Sequence, residues 1–72
     1  MYEKILLYDS RDFGLFIGKE LEKLNITKTF FADFIIMDVR NVRKLTNGYR
    51  KQISIEDRLY FLEKLENLSK TK

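Results

Sequence analysis

With neither a cysteine nor a histidine, a chain of 72 residues has no disulfide and no conventional zinc site to supplement a small core. Burial of apolar side chains has to hold it together. The material is present: 44% of the residues are hydrophobic, with six Phe and four Tyr among them. Proline is absent and the three glycines are Gly14, Gly18 and Gly48, so no linker, repeat or low-complexity stretch divides the chain. A single domain spanning residues 1–72 is expected, with only the terminal SKTK fraying.

The apolar spacing is helical along most of the chain. From Arg11, the residues Phe13, Phe16, Ile17, Leu21 and Leu24 recur every three or four positions, predicting an amphipathic helix over 11–25 that stops near Asn25. Thr27 is suited to cap a second helix that buries Phe31, Ala32 and Ile35. Asp38 offers a further cap for a helix over Val39–Leu45, with Val42 and Leu45 inward, and Asn47-Gly48 stops it. Ser54-Ile-Glu-Asp57 resembles a capping box and opens a last helix over 54–68, whose predicted inward stripe is Ile55, Leu59, Leu62 and Leu65. The opening YEKILLY, rich in β-branched, aromatic and leucine residues, reads as a short strand within an extension over 1–10 that ends in Asp9-Ser10, good turn and N-cap chemistry.

No cationic leader followed by a long apolar core opens the sequence, and its apolar runs are too short to span a bilayer. The expected location is the cytoplasm, with no membrane partner. The net charge of +3 is unevenly spread. Val39–Lys51 carries Arg40, Arg43, Lys44, Arg50 and Lys51 without a single acid, leaving the remainder slightly acidic. No catalytic set is legible: nucleophilic Cys and general-base His are missing, no glycine-rich phosphate loop occurs, and the carboxylates are scattered. The chain reads as a non-enzyme without cofactor, metal or small-molecule substrate.

Over Ile17–Leu65 the sequence resembles the Cro/repressor-type helix-turn-helix regulators of phages and bacteria. The resemblance is carried by Thr27 as cap, Phe31 and Ala32 where the two helices cross, Ile35, Val42 and Leu45 as core, the terminating Asn47-Gly48, the basic Arg50-Lys51 loop, and the packing helix Ser54–Leu65. It implies a small lambda-repressor-like domain, mainly α. In such a domain Val39, Arg40, Asn41 and Lys44 face base edges, while Lys28, Arg43, Asn47, Tyr49, Arg50 and Lys51 face phosphates. As a plain alternative, these basic residues form a solvated surface patch with no ligand.

Three positions depart from that pattern. Ile36 occupies the turn position usually given to Gly, where a β-branched residue implies either a different turn or backbone strain. Phe30 and Phe34 stand where the family carries polar residues, so they either anchor a partner or are covered by the amino-terminal strand or the last helix. No second domain provides dimerisation, although helix-turn-helix proteins usually read paired half-sites. The candidates for self-association are β-pairing through YEKILLY and the Tyr60/Phe61 side of the last helix.

The size and the apolar second-helix surface bring the chain closest to the modulator-of-repression antirepressors of lactococcal-type phages. That resemblance implies a regulator of a lysis/lysogeny switch in a bacterial host cell, binding its cognate CI-type repressor near the repressor's DNA-binding domain. Phe30, Phe34, Arg40, Arg43 and Lys44 would be the contact residues. The rival expectation is a Cro-like homodimer occupying operator DNA through its own recognition helix, and a complex of protein and repressor on DNA is a third arrangement. Antitoxins and excisionase-type proteins also use small helix-turn-helix domains.

Overall fold

The computed structural model describes residues 4–71. They form a small all-α domain of four helices: α1 (Ser10–Lys23), α2 (Lys28–Phe34), α3 (Val39–Thr46) and α4 (Ile55–Thr71). A 3₁₀ turn, Ile5–Leu7, precedes α1. The α2–turn–α3 unit is the expected helix-turn-helix. α1 is the central element, packing on α3 along one side and on α4 along another, while α2 packs against α3.

Each helix start has the cap its sequence promised. Asp9 accepts from the amide of Asp12 at 2.8 Å. Thr27 accepts from that of Phe30 at 3.0 Å, Asp38 from that of Arg40 at 2.8 Å, and Ser54 from that of Asp57 at 3.2 Å. A side-chain oxygen satisfies one of the orphan N–H groups in every first turn. The capping box at α4 is one-sided, because the Asp57 carboxylate is engaged by Arg50 at 2.9 Å.

The first three helices also end alike. After α1, α2 and α3 the chain turns through a left-handed residue, respectively Asn25 (φ 62°), Ile36 (φ 56°) and Gly48 (φ 78°). Each is followed by the paired bonds of a Schellman motif: Ile26 N–H to Leu21 O at 2.9 Å, Met37 N–H to Ala32 O at 2.9 Å, and Tyr49 N–H to Lys44 O at 3.0 Å close the longer loops. Glycine and asparagine tolerate this conformation, whereas a β-branched side chain is strained in it. The departure at Ile36 therefore resolves as strain in an unchanged turn, and the Ile36 side chain is 93% exposed.

The core joins all four helices: Phe13, Ile17 and Leu21 of α1, Phe31 and Ala32 of α2, Val42 and Leu45 of α3, and Phe61, Leu62, Leu65 and Leu68 of α4, with Ile26, Ile35 and Ile53 from the connections. Phe16 and Leu24, expected inside, are half-buried at its margin. Two positions with no side chain to contribute are buried instead. A Cβ on Gly14 would lie 1.9 Å from the Leu45 carbonyl oxygen, and one on Gly18 would lie 3.1 Å from the Thr46 Cβ. α3 thus crosses directly over the backbone of α1. Thr46, buried at this crossing, turns its hydroxyl back to donate to the Val42 carbonyl at 3.0 Å.

Two expectations are corrected. There is no strand among the described residues: Lys4–Tyr8 winds into the 3₁₀ turn, with Leu7 N–H on Lys4 O and Tyr8 N–H on Ile5 O, both at 3.1 Å. Tyr2 and Glu3 of the expected strand lie outside the described residues. A lone strand has no ladder to join, and here the carbonyls of Leu6 and Tyr8 are taken by the Arg58 guanidinium instead. The β-pairing route to self-association loses its edge accordingly. In α4, Ile55 and Leu59 are exposed, and the inward stripe is Phe61, Leu65 and Leu68 with Leu62 beside them. Leu62 and Leu65 of the expected stripe are in the core as predicted, and Phe61 and Leu68 take the places given to Ile55 and Leu59.

Two substitutions check this packing. Gly14→Ala is expected to lower stability by about 3 kcal/mol, since backbone rather than a pliable side chain blocks the new methyl, with Gly18→Ala costing less. Ile36→Gly is expected to raise stability by about 1 kcal/mol, read in thermal unfolding as a rise of roughly 4–8 °C.

Candidate interaction surface of the helix-turn-helix

α2 is two turns long and its inner face is occupied by Phe31 and Ala32, so its remaining aromatic residues point elsewhere. Phe30 and Phe34, one turn apart, are 55% and 41% exposed. Neither the 3₁₀ turn nor α4 covers them. The approach of α4 to this end of α2 is made by Tyr60, whose hydroxyl donates to the Ile35 carbonyl at 3.2 Å while its ring stays partly exposed beneath Lys64. Of the Tyr60/Phe61 pair suggested for self-association, Phe61 is fully buried and belongs to the core.

α3 presents a surface of mixed sign. Its last turn carries Arg43 and Lys44, cations placed favourably at the carboxyl end of the helix dipole. Its first turn carries Asp38 and Arg40 locked together. Arg40 donates through Nη2 to Asp38 Oδ2 at 2.9 Å and through Nε to Asp38 Oδ1 at 3.3 Å, while its backbone N–H caps on the same Oδ1 at 2.8 Å. The guanidinium hydrogen bond foremost, then the backbone one, holds the Asp38 carboxyl from 3.8 down to about 2. Arg40 is held correspondingly above its ordinary value by the same hydrogen bond.

The other basic and polar residues separate into two groups. Asn41, Lys44 and Arg50 line a concavity of about 330 Å³ with Met37. Arg50 is itself paired to Asp57 and lies over the Phe61 ring at 6.0 Å. On the other side, Lys28 at the start of α2 reaches Asn47 Oδ1 at 3.4 Å, joining the beginning of α2 to the end of α3. Tyr49 and Lys51 are exposed on the loop after α3. Val39 is half-buried and packs against the core.

Sequence reasoning identified Asp38 only as a cap, although an Arg two residues after an N-cap Asp was the signal for the clamp. It passed over Met37, and it passed over Arg58. That residue donates to Leu6 O at 2.8 Å, to Tyr8 O, to Ile53 O at 3.0 Å and to Ser10 Oγ at 3.2 Å, with its guanidinium over the Phe13 ring at 5.5 Å.

The fold and this surface define a small all-α helix-turn-helix domain. No helix among the described residues is long and apolar enough to cross a membrane. No family model, curated protein or solved structure matches the chain.

The Asp38 clamp has a pH signature. A carboxyl with a depressed folded-state value contributes stability above about pH 4, and the contribution is lost as pH falls through about 2. Carbon-detected NMR titration should place the Asp38 midpoint near 2. In Arg40→Ala the midpoint should move upward yet stay below the ordinary range, because the backbone bond to residue 40 survives.

Proposed function

We propose that this protein is a transcription regulator of a phage-type lysis/lysogeny switch, acting as an antirepressor in the cytoplasm of a bacterial host. It binds the cognate CI-type repressor near the repressor's DNA-binding domain and releases it from its operators. The observation that carries this reading is the exposure of Phe30 and Phe34 together on the outer face of α2. A helix that needs only protein–solvent contact on that face gains nothing from two phenylalanines, whereas burying them against a partner contributes roughly 1.5–3 kcal/mol each. The resemblance to phage regulators supplies the kind of partner. A repressor must keep its own DNA-facing surface free, and a protein covering it excludes the operator. Arg43 and Lys44 would then meet acidic side chains at the rim, where charge pairs set register and association rate more than affinity.

A Cro-like operator binder is the second reading, favoured by one observation: Asn41, Lys44 and Arg50 converge on a single concavity of the α3 face. Such a protein would read DNA with Arg40, Asn41 and Lys44.

The test is capture of the tagged protein from nuclease-treated lysate of phage-carrying cells, followed by reconstitution with the purified partner. A stoichiometric repressor that dissociates its operator on addition of the protein is expected. Phe30→Ser and Phe34→Ser should each weaken that complex about 30-fold or more, by the usual scale for a buried aromatic anchor, with melting temperature little changed. If both variants unfold, or if they bind normally while Arg40→Ala and Lys44→Ala abolish binding to an operator, the antirepressor reading is wrong and the operator-binding one takes its place.

A further inference from the structure

The recognition-helix position of α3 is fronted by a carboxylate. Asp38 precedes the helix, Arg40 follows it by two residues, and the three donor contacts of Arg40 on one carboxylate close a compact ion pair at the end of the helix that would enter a groove. Both side chains are solvent-exposed, 81% for Arg40 and 44% for Asp38, so the pair sits on the surface that a ligand would meet. At the far end of the same helix, Arg43 and Lys44 make no ion pair with any described acid within salt-bridge distance. The surface therefore runs from a neutralised pair with an outward carboxylate to a cluster of free positive charge over two turns.

Duplex DNA is a uniform polyanion and offers no cation to match Asp38. To lay α3 in a groove, either Arg40 stays on Asp38, with its charge cancelled and only its remaining donors free for DNA, or it leaves and brings an unpaired carboxylate among phosphates. A folded protein can supply opposite signs a few ångströms apart, which is what electrostatic complementarity across a protein interface requires.

We infer that Asp38 is the specificity-determining residue of this surface: by holding Arg40 and cancelling its charge at the first turn of α3, it makes the face selective for a protein of mixed charge over duplex DNA. The partner's matching patch carries a basic or amide side chain opposite Asp38–Arg40 and acidic side chains opposite Arg43 and Lys44. This rests on the reading above that α3 and α2 form a protein-binding face, and it names the chemistry of the surface that fits there.

The experiment uses a short fluorescein-labelled duplex of mixed sequence, with affinity read by anisotropy over a series of salt concentrations. Asp38→Asn removes the charge and retains the cap, since Asn caps a helix as well as Asp. Asp38→Ser, also a good cap, serves as a second charge-free variant if Asn perturbs the fold. The charge-free variant is expected to bind the duplex about tenfold tighter than the unmodified protein, with the salt dependence steeper by about one released counterion as Arg40 reaches a phosphate. Adding Arg40→Ala to Asp38→Asn should abolish that gain, whereas Arg40→Ala alone should weaken duplex binding by a smaller factor than it does beside Asp38→Asn.

The inference is overturned if folded Asp38→Asn and Asp38→Ser bind the duplex no more tightly than the unmodified protein. It is equally overturned if Arg40→Ala alone weakens duplex binding as much as it does beside Asp38→Asn, because Arg40 is then already free to contact DNA. None of these measurements involves the repressor. A failure of the antirepressor reading in the capture experiment is thus distinguishable from a failure of the role assigned to Asp38.

Discussion

The close crossing of α3 over the backbone of α1 is the constraint on which the other contacts rest. With the Leu45 carbonyl pressed to where a Gly14 Cβ would stand, α3 can occupy one depth and one angle relative to α1. Val42 and Leu45 then fall into the core beside Phe13 and Ile17, and the opposite side of α3 is necessarily the outer surface of the domain. α2 follows α3, because the Schellman turn at Ile36 ties the two helices through Met37 and Ala32. Even the outward placement of Phe30 and Phe34 descends from that crossing: once Phe31 and Ala32 are turned inward, residues one position before and two positions after that pair are on the other side of a short helix.

Glycine within a helix costs about 0.5–1 kcal/mol relative to alanine. A chain with no cysteine and no histidine that keeps two of them one turn apart is using them for something. At Gly14 and Gly18 the return is contact between α1 and α3 at backbone distance, which buries the carboxyl-terminal half of α3 without lengthening the helix. The strain at Ile36 has the opposite sense, since an exposed β-branched residue held at positive φ returns nothing to the core.

Much of the architecture was legible because it is written in local signals. The four caps, the three stops and the inward residues of α2 and α3 are each decided by a few neighbouring residues. What escaped was decided at long range. Gly14 and Gly18 read only as the absence of a linker, because the element that needs them lies some thirty residues further on. YEKILLY has the composition of a strand, but composition cannot supply a partner strand, and the carbonyls of Leu6 and Tyr8 accept from Arg58 instead. Ile55 and Leu59 match a helical stripe as well as Phe61 and Leu65 do, and only the position of α1 separates the two. Within the candidate surface, the residue types and the faces of α2 and α3 were readable. The engagement of Arg40 by Asp38 was not, because charge counting treats each cation as free.

Arg58 gathers acceptors from two ends of the chain: the carbonyls of Leu6 and Tyr8 and the hydroxyl of Ser10 on one side, and its own neighbour Ile53 on the other. The links to residues 6–10 span about fifty positions, while the contacts that build the α1–α3 crossing and the α2–α3 unit span far fewer. Loop-closure entropy favours the shorter contacts first. During synthesis, α1, α2 and α3 can begin to assemble as soon as they leave the ribosome, but the turn ahead of α1 waits for a residue translated about fifty positions later. The turn ahead of α1 is thus the last to be fastened, and α2 and α3 are in place before it.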